Sequence, residues 1–130
     1  ANLVLSHSKK IINTIHPQSF VSNSVQMGTG VFANVNVSVN ALSLIGNNCI
    51  LNTGCIVEHE CVIGNNVHIA PGAVLAGNVQ IGDRTFIGAN SVVKQGVKIG
   101  TDVIVGAGTV VLNDVLDGTT IYGNPGKLKY

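Results

Sequence analysis

The sequence predicts an all-β chain wound as a parallel β-helix with triangular coils, and three observations predict it. Every sixth residue from Ile15 to Val111 is apolar. Four places after each of these, through the middle of the chain, comes a small or β-branched residue: Cys49, Cys55, Cys61, Val67, Ala73, Val79 and their successors. Between the two columns, from residue 47 onward, most pairs contain Gly, Asn, Asp or Pro. Those residues suit tight corners, because the first three tolerate positive φ and proline presets its own. A short strand and a corner repeating every six residues close one coil in three repeats. Residues 18 apart are then neighbours on adjacent coils, stacked about 4.8 Å apart as strands are in a sheet.

In chain order, residues 1–14 ("ANLVLSHSKKIINT") lack the period and read as a linker preceding it. The first coils carry Ile15, Val21, Met27, Ala33 and Val39; the middle ones Ile45, Leu51, Val57, Ile63 and Ile69; the last Leu75, Ile81, Ile87, Val93, Ile99, Val105 and Val111. This repeat domain runs over 15–116 without an insertion. Residues 117–130 ("DGTTIYGNPGKLKY") are expected to close the last coil with turns and a short tail. Cys49, Cys55 and Cys61 fall in the inward small-residue column on successive faces, so they read as buried packing residues rather than a disulfide or metal set.

A length of 130 residues bounds the chain to one domain. Net charge is +1 and only 10% of residues are charged, which leaves no basic field for nucleic acid and no acidic tail. No uninterrupted apolar run reaches the length of a membrane span, and the basic residues near the start follow the apolar ones, unlike a signal peptide. A cytoplasmic location without nucleic-acid or membrane partners is the expectation.

One corner breaks the pattern. His59-Glu60 brings an imidazole and a carboxylate to a place where neighbouring corners carry turn formers. Eighteen residues on, Gly77 should lie one coil away, with a backbone N–H open to close approach, as an oxyanion site beside a general base requires. The outward strand positions place this corner on the prism. One face carries Ile56, Val74, Val92 and Val110; a second Leu44, Val62, Gln80 and Lys98; the third Ile50, His68, Phe86 and Ile104. Two largely apolar strips imply an oligomer. Three prisms about a threefold axis would set the Ile56 face of one subunit near the His68 face of the next, so that His59 looks across a cleft toward a neighbour's His68.

The six-residue repeats, the "VEHECVIG" stretch at 57–64 and the closing "GNPGK" at 123–127 resemble the left-handed β-helix acyltransferases, most closely the sialic acid O-acetyltransferase and UDP-4-amino-sugar N-acetyltransferase family. The resemblance implies a left-handed coil and a homotrimer with active sites between subunits. It also implies transfer of an acetyl group from acetyl-CoA to the amine of a nucleotide-linked amino sugar, with no metal. His59 matches the family's catalytic histidine, Glu60 the carboxylate beside it and Gly77 the main-chain donor. His68 matches the histidine near the thioester, and Asn52 an asparagine that contacts the acceptor. Gly88, Gly106 and Ala107 are candidates to line the pantetheine, and Lys127 to meet a CoA phosphate. The chemistry agrees with the residue types: a neutral imidazole with a pKa of about 6.5 takes a proton from an amine or hydroxyl acceptor near neutral pH. Glu60 would hold the ring in one tautomer, with Glu58 as the rival for that role. Relatives in this family usually carry an N-terminal nucleotide-sugar-binding domain, so residues 1–14 resemble a remnant of it or a linker, and the chain is expected to be either a fragment of a longer protein or one with a different acceptor. O-acetylation of a sialic acid or other sugar, and a catalytically silent trimeric scaffold, are the alternatives. The zinc-dependent γ-type carbonic anhydrases share this fold, but their closely spaced histidine pair has no counterpart among His7, His16, His59 and His68.

Overall fold

The computed structural model describes residues 11–129, so the reading of residues 1–14 as a linker or domain remnant falls largely outside the described residues. Among those residues the secondary structure is entirely β: nineteen strands, nearly all two residues long. The strand at every sixth position hydrogen-bonds to the strands 18 residues before and after it, always in parallel, through most of the chain. Three sheets result. The His68 sheet holds Thr14–Ile15, Phe32–Ala33, Ile50–Leu51, His68–Ile69, Phe86–Ile87, Ile104–Val105, Thr120–Tyr122 and Lys127–Leu128. The Ile56 sheet holds Phe20–Val21, Ser38–Val39, Ile56–Val57, Val74–Leu75, Val92–Val93 and Val110–Val111. Gln26–Met27, Leu44–Ile45, Val62–Ile63, Gln80–Ile81 and Lys98–Ile99 form the Leu44 sheet.

The two inward columns fill the prism. From Val31 to Val111 they are buried throughout, with Ser43, Thr85, Ser91 and Thr109 among them. The hydroxyls of Ser43, Thr85 and Ser91 donate to carbonyls of the next coil, those of Glu58, Gly100 and Gly106, which removes the cost of burying them. Cys49, Cys55 and Cys61 are free thiols in the same column, fully buried as expected. The first coil is the exception. Ile15 is 38% exposed and Val21 and Met27 are only partly buried, because no described coil lies beyond them.

Each corner turns through a residue in the left-handed region, and this residue recurs every six positions from Gly30 to Gly108. Gly, Asn and Asp fill most of these places. Leu42, Glu60 and Arg84 do not, and a side chain of that kind with φ near +60° costs about 1 kcal/mol. Arg84 is held by a two-pronged bond to Asp102 on the next coil, at 2.8 and 3.1 Å.

The edge between the Leu44 and His68 sheets has its own device. Side-chain oxygens of Asn47, Asn65 and Asp83 accept the N–H of Thr29, Asn47 and Asn65 on the coil before. Asp117 does the same for Thr101. The glycine before each of these corners leaves room for that oxygen: a Cβ on Gly28, Gly46, Gly64 or Gly100 would collide with Asn47, Asn65, Asp83 or Asp117.

The period does not end in a plain tail. After Val111 the coil shortens by two residues, so that Ile104 pairs with Thr120 and Ile99 bridges to Val115. Thr120–Tyr122 therefore extends the His68 sheet, and Lys127–Leu128 folds back on it antiparallel. The difference from the sequence reading has a simple cause. Val115 and Ile121 continue the six-residue column of Thr109 but stack on Ile99 and Val105 of the other inward column, so the shortened coil shifts the register instead of ending the helix.

Candidate active site

His59 and Glu60 stand at the edge where the Ile56 sheet turns into the Leu44 sheet. His59 Nδ1 lies 3.2 Å from Glu60 Oε1, and both side chains are about half exposed, at 51% and 59%. Glu60 reaches back to its neighbour because the left-handed corner turns its side chain alongside the ring. Glu58 makes no such contact among the described residues. With Nδ1 engaged, Nε2 is the nitrogen left for chemistry.

Gly77 occupies the same corner one coil on, where Asn78 donates its N–H to the His59 carbonyl. A Cβ on Gly77 would lie 2.5 Å from His59 Nε2 and 2.6 Å from Cε1. The imidazole therefore rests on the glycine, and a Cβ at 77 would push the ring out of this position. The Gly77 N–H donates to no acceptor among the described residues. A free main-chain donor and a free imidazole nitrogen thus share one edge.

His68 and Asn52 form a second group on the outer surface of the His68 sheet. Asn52 Nδ2 is 3.3 Å from His68 Nε2, and Asn34 Nδ2 donates to Asn52 Oδ1 at 3.3 Å. The His68 ring meets Phe86 edge to face, with centroids 5.1 Å apart. Partial burial holds the His68 pKa below its ordinary value. The two groups lie on different parts of the prism, so one chain by itself does not bring His59 to His68.

Comparison with known proteins shows the family. Residues 43–77 and 78–113, more than half of the chain, match the family described as bacterial transferase hexapeptide (six repeats). The chain belongs to that family. No curated protein matches it. Among solved structures, this hexapeptide-repeat chain is similar to the GDP-perosamine N-acetyltransferase of Caulobacter crescentus. A histidine-to-alanine variant of that protein, in complex with CoA and GDP-perosamine, is 42% identical with a TM-score of 0.97. The match covers 99% of this chain and 61% of that one. The acetyltransferase domain of PglB from Neisseria gonorrhoeae, in complex with acetyl coenzyme A, is 36% identical, with a TM-score of 0.96 over 98% of this chain and 62% of that one. WeeI from Acinetobacter baumannii is 30% identical, with a TM-score of 0.94 over 98% of this chain and 63% of that one. The chain thus spans a little under two thirds of the length of the structures it matches. Its coil is the left-handed β-helix that the resemblance implied.

The remaining candidates of this hexapeptide-repeat chain lie away from His59. Gly88, Gly106 and Ala107 follow the His68 sheet toward the edge it shares with the Ile56 sheet. Coil packing alone requires the first two: a Cβ on Gly88 would lie 2.5 Å from the Ala107 nitrogen, and one on Gly106 would lie 2.8 Å from Tyr122 Cβ. Ala107 and Lys127 are exposed, the latter in the antiparallel strand at the C-terminal end. A hollow of about 240 Å³ near that end is lined by Val111, Leu112, Leu116, Ile121 and Leu128 among others, and does not reach His59. Sequence reasoning missed Asn34. Its signal was present, since Asn34 and Asn52 stand 18 residues apart in one column.

Proposed function

We propose that this chain transfers an acetyl group from acetyl-CoA to the amine of a nucleotide-linked amino sugar. The observation that carries the reading is the His59 edge. An imidazole held at Nδ1 by a carboxylate leaves Nε2 free beside a main-chain N–H with no partner. The relatives support the substrates, since the names of two of them state an acetyltransferase with CoA or acetyl-CoA, one together with GDP-perosamine.

The reaction follows from these groups. The amine nitrogen attacks the thioester carbonyl directly while His59 Nε2 takes its proton, and Glu60 stabilises the imidazolium that forms. The carbonyl oxygen becomes an oxyanion that accepts from the Gly77 N–H, a contact of a kind worth about 3 kcal/mol in other enzymes. Collapse expels the CoA thiolate, and the imidazolium returns the proton to it. The products are an amide and free CoA, with no acyl-enzyme between. His68 lies on the thioester side in this reading, and Asn52 near it. Gly88, Gly106 and Ala107 line the pantetheine and Lys127 meets a phosphate.

The assembly in this reading is a homotrimer with sites between subunits. Phe86, Ile104 and Val92 are apolar and exposed on the two sheets that would face each other. No described helix is long and apolar enough to cross a membrane. In this reading the chain works in the cytoplasm.

Release of free CoA from acetyl-CoA, followed with a thiol reagent over a panel of nucleotide-linked amino sugars, tests the reading. Release should require one acceptor and fall by about 10²- to 10⁴-fold in His59→Ala, with the assembly unchanged by light scattering. Activity within about threefold of wild type in that variant would refute the base.

A further inference from the structure

The second group on the His68 sheet is more constrained than a set of ligand contacts needs to be. Backbone donors fix it. The Thr53 N–H points at Asn52 Oδ1 at 2.8 Å, and the Val35 N–H points at Asn34 Oδ1 at the same distance. A backbone N–H must face an oxygen, so both amides have only one possible orientation. Asn34 then donates from Nδ2 to Asn52 Oδ1, which also accepts from the Thr53 N–H and, at 3.4 Å, from the Thr53 hydroxyl. Asn52 is left with Nδ2 toward the His68 ring, at 3.3 Å from Nε2. An amide nitrogen only donates, so Nε2 must carry the lone pair and the ring proton must sit on Nδ1.

We propose that Asn52, itself held by Thr53 and Asn34, locks the His68 imidazole as the neutral Nδ1–H tautomer, so that the sheet presents a fixed N–H donor to a carbonyl oxygen of the acyl donor. In this reading Asn52 acts as a positioning residue for the thioester ligand, where the resemblance implied a contact to the acceptor. The side chains flanking His68 on its face are Ile50 and Phe86, neither of which titrates, and no charged group contacts the ring among the described residues. Protonation of Nε2 would set donor against donor and break the bond to Asn52. The lowered pKa produced by burial agrees with a ring that stays neutral.

The role assigned to the donor rests on the proposed acetyl transfer; the tautomer does not, and the test separates them. Nitrogen-15 NMR of the free protein reports which ring nitrogen of His68 carries the proton. Wild type should show Nδ1–H alone. In Asn52→Asp the carboxylate accepts instead, so the proton should move to Nε2. Calorimetry should then show acetyl-CoA affinity about tenfold lower, with sugar affinity changed less than twofold. An Nε2–H or mixed tautomer in wild type overturns the lock. Should the variant lose sugar affinity while keeping that for acetyl-CoA, Asn52 contacts the acceptor and the positioning role is wrong. A wild type with the Nδ1–H tautomer but no acetyl-CoA binding would refute the proposed function and leave the lock standing.

Discussion

At the level of single residues, Glu60 carries two conflicting demands. Its corner requires φ of 61°, which favours Gly or Asn, yet its carboxylate is what holds His59 Nδ1. Glu60→Asn should therefore stabilise the fold by about 1 kcal/mol while lowering turnover at least tenfold. Thermal melting beside the CoA-release assay reads both, and a variant that is no more stable, or fully active, contradicts the account. This conflict made the site legible in the sequence: in a column of turn formers, His59-Glu60 was out of place. Asn34 was not legible in that way, since an asparagine beside a corner is ordinary and its bond to Asn52 exists only once coils stack. The cysteines make a separate prediction. Burial raises all three thiols, Cys55 from 9.0 to about 12. A folded pKa above the unfolded one gives stability that is complete below about pH 9 and is lost as pH rises toward 12. Denaturant unfolding should accordingly weaken above pH 9, and Cys55→Ala should remove part of that slope. At neutral pH no cysteine should react with a thiol reagent before the protein unfolds.

Within the coils, glycine serves two ends that stability measurements can separate. Gly54 has φ of 67° and open space around the place of a Cβ, so alanine there meets only backbone strain. Gly82 has no positive φ, but its Cβ would stand 2.5 Å from the Gly100 carbonyl carbon and 2.6 Å from the Thr101 nitrogen. Backbone cannot move aside as a side chain can, so coils would have to part. Gly54→Ala should cost about 1 kcal/mol and Gly54→Asn almost nothing, whereas Gly82→Ala should cost about 3 kcal/mol. Chemical denaturation of the three variants decides, and equal losses at the two sites would mean that stacking is looser than the structure shows. The period of six was readable because every coil repeats the same inward contacts. The shortened coil after Val111 was not, because Val115 and Ile121 keep the count of six and yet stack on Ile99 and Val105 of the other inward column, a shift that exists only once coils stack.

For the whole molecule, the separation of His59 from His68 bears directly on the proposed acetyl transfer. In one prism, His59 and Gly77 stand at one edge while the Asn52–His68 pair faces out from another sheet. In the proposed assembly a second copy would bring these groups together, and a threefold arrangement of apolar faces would do so three times over. The expected consequence is complementation. In the proposed homotrimer His59→Ala would lack the base and His68→Ala the donor across the cleft, so each variant should be impaired at all three sites. When the two are unfolded together and refolded in equal amounts, subunits mix at random. A site is intact only where a subunit with His59 abuts one with His68, which holds for about a quarter of the interfaces. Mixed trimers should therefore regain about a quarter of wild-type turnover, while the two proteins mixed without refolding should regain none. If each chain held a complete site, every site in the mixture would still lack one histidine, and refolding would restore nothing beyond the average of the two variants.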